Sequence, residues 1–200
     1  MRRLIPSPGP WYNQTEIRPA LEAGTISGDR MRLFIAIPLG AQVKGAAKRA
    51  QDAFRRARVG GNYVPAENLH LTLAFLGELP DAREAVEAAA EVSFAPFTLT
   101  AQGLGRFDDI WWLGFRESEA LSGLARSLRR ELASRGVPFD RKRFRPHVTL
   151  LRRADGAPNA LPDVDGAETL VDRFCLYRST RSRNGMIYTE LASFDAGEHA

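Results

Sequence analysis

Two four-residue phrases in this chain nearly repeat each other, HLTL at His70–Leu73 and HVTL at His147–Leu150. The chain has three histidines, and two of them share this phrase. In a strand, side chains two apart point to one face. His70 and Thr72 then share one face, with Leu71 and Leu73 turned to the core, and His147 and Thr149 do the same over Val148 and Leu150. Each phrase presents an imidazole beside a hydroxyl on a rigid, apolar-backed element, where a reacting group can be held accurately. Histidine titrates near neutrality, so two in one cleft can act as a base and an acid. In-line displacement at phosphorus needs that division: one group takes a proton from the incoming oxygen, the other gives one to the leaving oxygen. Threonine hydroxyls would hydrogen-bond the non-bridging phosphate oxygens.

Two other readings compete. A single histidine on a strand is usually structural, and Thr alternating with Leu is ordinary strand composition; the repetition is what favours chemistry. Two histidines with a carboxylate could also bind zinc or iron. However, the sequence has no HxH, HExxH or HxD, Cys175 is the sole cysteine, and His199 falls in a polar C-terminal tail.

The elements that must position these residues can be read along the chain. Residues 1–30, with three prolines in MRRLIPSPGP and no sustained apolar period, read as a flexible leader, either an extended translation start or a non-native extension. A single domain spans 31–195, with a tail at 196–200. MRLFIAIPL from Met31 reads as a buried strand, and AQVKGAAKRAQDAFRRAR as an amphipathic helix with a basic outer face. NLHLTLAFLGE is a strand closed by Gly77. LPDAREAVEAAAEV is a helix capped by Asp81. FTLTAQGLGRF and IWWLGF form a hairpin across Asp108 and Asp109. From Ser118, Leu121, Leu124, Ala125, Leu128 and Leu132 have helical spacing, and Gly136 is placed to end that helix. HVTLLRR, RFCLYRST and GMIYTELASF are strands, the last two joined by a turn near Asn184–Gly185. The order amounts to a loose internal duplication, each half contributing one HxT strand.

Composition sets bounds. The chain has 200 residues, 44% hydrophobic, which is enough to bury a core. One cysteine excludes an intrachain disulfide framework and a Cys-based zinc site, and fits a reducing cytoplasm. No stretch approaches the roughly 20 apolar residues of a membrane span, and no apolar region of a signal peptide follows the basic N-terminus. The net charge is +4, and nearly all the basic residues are arginine, whose fork binds phosphate bidentately.

MRLFIAIPL, PAENLHLTLAFLGELP, PFTLTAQGLGRF, WWLGF, FRPHVTLLRR and FCLYRS together resemble the RNA 2′,3′-cyclic phosphodiesterases of the 2H phosphoesterase superfamily, first described as 2′-5′ RNA ligases. The resemblance runs from Met31 to about Phe194. It implies an α+β fold: bilobal and pseudo-symmetric, two antiparallel sheets facing a central cleft with helices outside, one HxT strand per lobe. It implies metal-independent hydrolysis of a 2′,3′-cyclic phosphate at an RNA end to a 2′-phosphomonoester, with reverse 2′-5′ ligation as a further activity. His70 is then the proton donor, His147 the proton acceptor, and Thr72 and Thr149 the phosphate binders. No metal or organic cofactor is implied. RNA ends are the implied partner, tRNA fragments among them, with no membrane and a monomer as the default state. Where relatives often carry tryptophan before the PxENxH phrase, this chain has Tyr63, which can still stack on a base.

Other residues fit less closely. Counting in twos from His147 reaches Thr149 and Leu151, so Arg152 falls on the opposite face unless the strand bends; a surface salt bridge is its alternative role. Arg143 and Arg145, in the basic run before His147, are candidates for the RNA backbone, against a solvated charge run. Phe34 is a candidate base-stacking residue, against core packing. Trp111 and Trp112 are adjacent, so one faces the core of the strand and the other needs separate cover. Two rival functions stand beside cyclic phosphodiester hydrolysis at RNA ends. One is the same chemistry on a small cyclic phosphate, such as a cyclic nucleotide or an ADP-ribose cyclic phosphate. The other is a non-catalytic protein that binds RNA ends.

Overall fold

The computed structural model describes residues 30–183 and 185–197. The leader before residue 30, the turn residue Asn184 and the tail histidine His199 lie outside the described residues. The elements in chain order are β1 (Met31–Pro38), α1 (Ala41–Arg56), β2 (Asn62–Tyr63), β3 (His70–Leu79), α2 (Arg83–Ala90), β4 (Phe97–Phe107), β5 (Ile110–Phe115), α3 (Glu119–Ser134), β6 (His147–Arg152), β7 (Glu168–Val171), β8 (Arg173–Ser182) and β9 (Gly185–Asp195). None of the described helices is long and apolar enough to cross a membrane.

All strand pairs are antiparallel, in the order β7-β4-β5-β6-β3-β1-β8-β9, with β2 also on β6. One lobe, β3-β1-β8-β9, carries the first HxT strand; the other, β7-β4-β5-β6, carries the second. The lobes meet at a single register pair, Leu71 with Val148. The two sheets are thus joined edge to edge along the HxT strands, which brings the two phrases side by side. The duplication is not one of sequential blocks: hairpin β4–β5 pairs with β6, and hairpin β8–β9 pairs with β1. A strand as apolar as β1 needs a partner on both edges. β3 occupies one edge, and β8, supplied from the far end of the chain, occupies the other.

The helices cross over in the same way. α1 follows β1 but packs on β6 and β7, whereas α3 follows β5 and packs on β3 and α2. Val43, Ala46, Ala47, Ala50 and Phe54 make the buried stripe of α1. Gln51, within that stripe, donates from Nε2 to Val64 O and Leu150 O, both at 2.8 Å. This buried amide is satisfied by two carbonyls, of which Leu150 O also accepts from Val64 N, and it pins α1 to the second HxT strand. α3 is followed by Gly136 at a φ of 69°, as its sequence indicates, and at its start Ser118 Oγ accepts from Leu121 N. The start of α2 differs from its reading: Ala82 is the N-cap residue and makes no side-chain cap bond, while Asp81, one position earlier, accepts at Oδ1 from Arg83 N. The first HxT strand is longer than expected: it passes through Gly77, at a φ of 79°, and ends at Leu79.

Both HxT strands carry a bulge just after the threonine. Ile35 pairs with Ala74 but Ala36 with Thr72, leaving Leu73 as an extra residue. Trp111 pairs with Leu151 but Trp112 with Thr149, leaving Leu150 as the extra residue. A bulge reverses the alternation beyond it. Leu73 and Ala74 are therefore both buried, as are Leu150 and Leu151. The residues that follow, Phe75 and Arg152, turn outward. Arg152 thus joins the face of His147 and Thr149. The strict count in twos placed it on the other side, and the bulge is the reason it does not lie there.

Candidate active site

His70, Thr72, His147 and Thr149 line one chamber of about 130 Å³, closed by Val64, Asn68, Phe107, Ile110, Arg152 and Tyr188. Neither threonine hydroxyl has a hydrogen-bond partner among the described residues. Both imidazoles are held alike. His70 Nδ1 is 2.7 Å from Asn68 O, and His147 Nδ1 is 2.7 Å from Arg145 O, each carbonyl two residues upstream. A carbonyl can only accept, so Nδ1 carries the proton and Nε2 keeps the lone pair. The two nitrogens available for proton transfer are therefore the Nε2 atoms.

Each ring is also clamped by aromatics. Phe34 lies 4.8 Å under His70, and Tyr188 meets His70 edge-on at 5.3 Å. Phe107 meets His147 edge-on at 5.4 Å, with Trp112 at 6.4 Å. This burial disfavours the charged form and lowers both histidines. His70 falls to about 4: desolvation is the main cause, opposed by its bond to Asn68 O and reinforced by Arg152 and His147. His147 is lowered by desolvation, against its bond to Arg145 O, with Arg152 adding to the fall. Arg152 has no acidic partner among the described residues, so it leaves an uncompensated positive charge at the chamber. A guanidinium so placed suits an anionic ligand. No carboxylate lines the chamber, and among the described residues no group of three or more His, Cys, Asp or Glu side chains is placed to hold a metal ion.

Among the described residues, two grooves adjoin the chamber. The first, about 900 Å³, includes Arg32, Tyr63, Arg152, Arg178 and Arg181, and shares Val64, Asn68 and Tyr188 with the chamber. The second, about 530 Å³, includes Phe75, Arg143, Phe144 and Arg145, and shares Thr72, Phe107 and His147. Of the residues singled out in the sequence, Tyr63 lines the first groove, with one face covered by Arg55 at 4.1 Å. Arg143 and Arg145 line the second. Phe34 is a correction: at 4% exposure it is core, sealed among His70, Tyr177 and Tyr188. It backs the His70 ring and has no face free for a base.

Sequence reading missed Asn68, Phe107 and Tyr188 as chamber residues. It also gave Trp112 no role. Trp111 is the core tryptophan, against Phe54 of α1. Trp112 lies on the cleft side between Phe107 and His147. The signal for its seat was a glycine: a Cβ on Gly105 would come 2.1 Å from Trp112 Cζ2. Gly105→Ala therefore has to tilt the indole that backs His147. The expected result is a loss of about 1–3 kcal/mol, the usual cost of overpacking, together with reduced turnover. Thermal melting and kcat measured on the same sample check it.

Comparison with known proteins agrees with this geometry. Residues 43–183 match the 2′-5′ RNA ligase superfamily. An RNA 2′,3′-cyclic phosphodiesterase of Thermotoga maritima is 35% identical over 184 residues, covering 84% of this chain and 97% of the relative. One of Thermus thermophilus is 38% identical, covering 84% and 92%. The crystal structure of Escherichia coli LigT with 3′-AMP superposes with a TM-score of 0.73 at 32% identity, covering 86% of this chain and all of that one. Twin HxT strands joined at one seam, two matched imidazoles and the likeness in sequence and fold agree: the chain belongs to the 2′-5′ RNA ligase superfamily.

Proposed function

We propose that this protein is a hydrolase that opens RNA 2′,3′-cyclic phosphate ends to 2′-phosphomonoesters. The observation that carries the reading is the convergence of two imidazoles in one chamber, each with Nδ1 tied to a carbonyl and Nε2 free. The phosphate sits between them, its non-bridging oxygens bonded by the Thr72 and Thr149 hydroxyls and its charge met by Arg152. His147 Nε2 takes a proton from water as its oxygen attacks phosphorus. The P–O3′ bond breaks on the opposite side, and His70, which enters the step as an imidazolium protonated on both nitrogens, gives its Nε2 proton to the leaving O3′. The 2′-oxygen stays on phosphorus. One proton is taken and one given, so the pair returns to its starting charge after exchange with solvent.

RNA as the substrate is supported by the first groove, which carries Arg30, Arg32, Arg152, Arg178 and Arg181 against Glu78 as its one acid. Such a row suits a phosphate backbone. The test is turnover in EDTA of a short RNA ending in a 2′,3′-cyclic phosphate, with the position of the product phosphate read out. Chelator-resistant opening to the 2′-phosphate is the expected result. Tight binding without opening would replace the enzyme reading with that of an RNA-end-binding protein. Failure of single-stranded RNA to compete at low salt would shift the substrate to a small cyclic phosphate.

A further inference from the structure

Asn68 is tied to His70 twice. Its carbonyl oxygen accepts from His70 Nδ1 at 2.7 Å. Its side chain reaches a distant part of the chain: Nδ2 donates to Met186 O at 2.7 Å, across 118 positions of sequence. Met186 stands two residues before Tyr188 on β9, and the Tyr188 ring meets that of His70 edge-on at 5.3 Å. One residue therefore holds the imidazole directly, through Nδ1, and again through the aromatic that lies against it.

The β8–β9 hairpin needs such an anchor. β1 pairs with β8 from Cys175 to Ser179 and no further. Beyond Ser179 the two strands pair with each other, out to Ser182 with Gly185. That projecting end borders the first groove through Arg181 and Met186. Met186 and Ile187 are exposed, so apolar burial does little to seat it. Asn68 is only 8% exposed. Its backbone is set by a single 3₁₀ turn, Ala66–Asn68, in which Asn68 N donates to Pro65 O at 3.0 Å. Met186 O can only accept, so the amide nitrogen is the atom that faces it. His147 has no counterpart to this arrangement. Arg145, whose carbonyl holds it, places its guanidinium 5.6 Å over Phe107, and that side chain makes no hydrogen bond among the described residues.

We propose that Asn68 is a positioning residue for the proton donor: its side-chain bond to Met186 O seats the end of the hairpin, and with it Tyr188, so that His70 Nε2 is aimed at the leaving oxygen. The proposal rests on the reading of His70 as the donor. A general acid has to lie within about 2.6–3.2 Å of the oxygen it protonates. Without the bond to Met186 O, Tyr188 is free to shift from the imidazole edge and the ring loses one of the contacts that fix its direction.

The leaving group separates loss of aim from general damage. Breaking the P–O3′ bond expels an alkoxide and needs an acid. A 3′-deoxy RNA end carrying a 2′-(4-nitrophenyl phosphate) expels nitrophenolate, which is stable without a proton, so an acid contributes little. The experiment measures single-turnover rates on both substrates for wild type, Asn68→Ala, Asn68→Asp and His70→Ala. Asn68→Asp keeps the size of the side chain and loses the donor, so it carries the test if the alanine variant does not fold. Both Asn68 variants are expected to lower the ratio of cyclic-end opening to nitrophenyl ester cleavage about tenfold or more, since a misplacement of about 1 Å can cost about 100-fold. His70→Ala lowers the same ratio further. A ratio left at the wild-type value by Asn68→Asp overturns the proposal, whether the two rates stay unchanged or fall together. A ratio left unchanged by His70→Ala refutes the donor reading on which the proposal rests.

Discussion

Alanine at His70 or at His147 is expected to lower turnover of an RNA 2′,3′-cyclic phosphate by about 10²–10⁴-fold each, the usual contribution of a positioned acid or base. That is about 3–5 kcal/mol of barrier. The structure explains why nothing nearby can substitute. The described lining of the chamber contains no carboxylate to take over either proton. The two rings act on one displacement, so the double variant should lose little more than the worse single one; groups that work as a unit are grossly non-additive. Folding is not the confounding factor it would be for a core residue, because both rings are only partly buried and their strands are held by Leu71, Leu73, Val148 and Leu150 beneath them. The measurement is single-turnover opening of the cyclic end, with melting temperature as the control. Either variant turning over near the wild-type rate would refute the two-histidine mechanism.

What the sequence made legible was local. The strands and helices around the two phrases follow from hydrophobic period and a terminal glycine, and hairpin β4–β5 has the boundaries read from FTLTAQGLGRF and IWWLGF. The sharing of a face by His70 with Thr72, and by His147 with Thr149, is a two-residue count that the chamber agrees with. What escaped was decided by long-range pairing. β2 and β7 are two and four residues long, too short to leave a period. That β8 would lie beside β1, and so bring Tyr188 onto His70, depends on partner choice 140 positions apart, Ala36 with Cys175 being nearly that. The bulges that turn out Phe75 and Arg152 are properties of a pair of strands, and neither LTLAF nor VTLLR shows them alone. Asn68 and Arg145 hold the histidines by backbone carbonyls, which carry no residue signature.

The pH dependence of the reaction follows from the burial of the same two rings. In the free protein His70 sits near 4 and His147 below 6.5. The mechanism needs one ring protonated and the other neutral. Above pH 6.5 both are neutral, and the singly protonated form falls tenfold per unit. With a diester substrate that does not itself titrate there, kcat/KM should peak on the acid side of 6.5 and drop about 100-fold between pH 7 and 9. The two limbs belong to the coupled pair and not to one residue each. Once the phosphate anion occupies the chamber it favours a charged imidazole, so the kcat profile is displaced to higher pH than that of kcat/KM, and phosphate binding takes up a proton. Stability carries the same signature with its sign fixed. His70 is lower in the folded than in the unfolded chain, so the unfolded chain binds the extra proton between pH 6.5 and 4. The folded state keeps its full margin above 6.5 and loses it as pH falls through about 4. At about 1.36 kcal/mol per unit the loss is about 3 kcal/mol, and His70→Gln should remove it from the melting curve. A kcat/KM flat from pH 7 to 9 would show that the free protein holds a charged imidazole at neutrality, which this aromatic enclosure opposes.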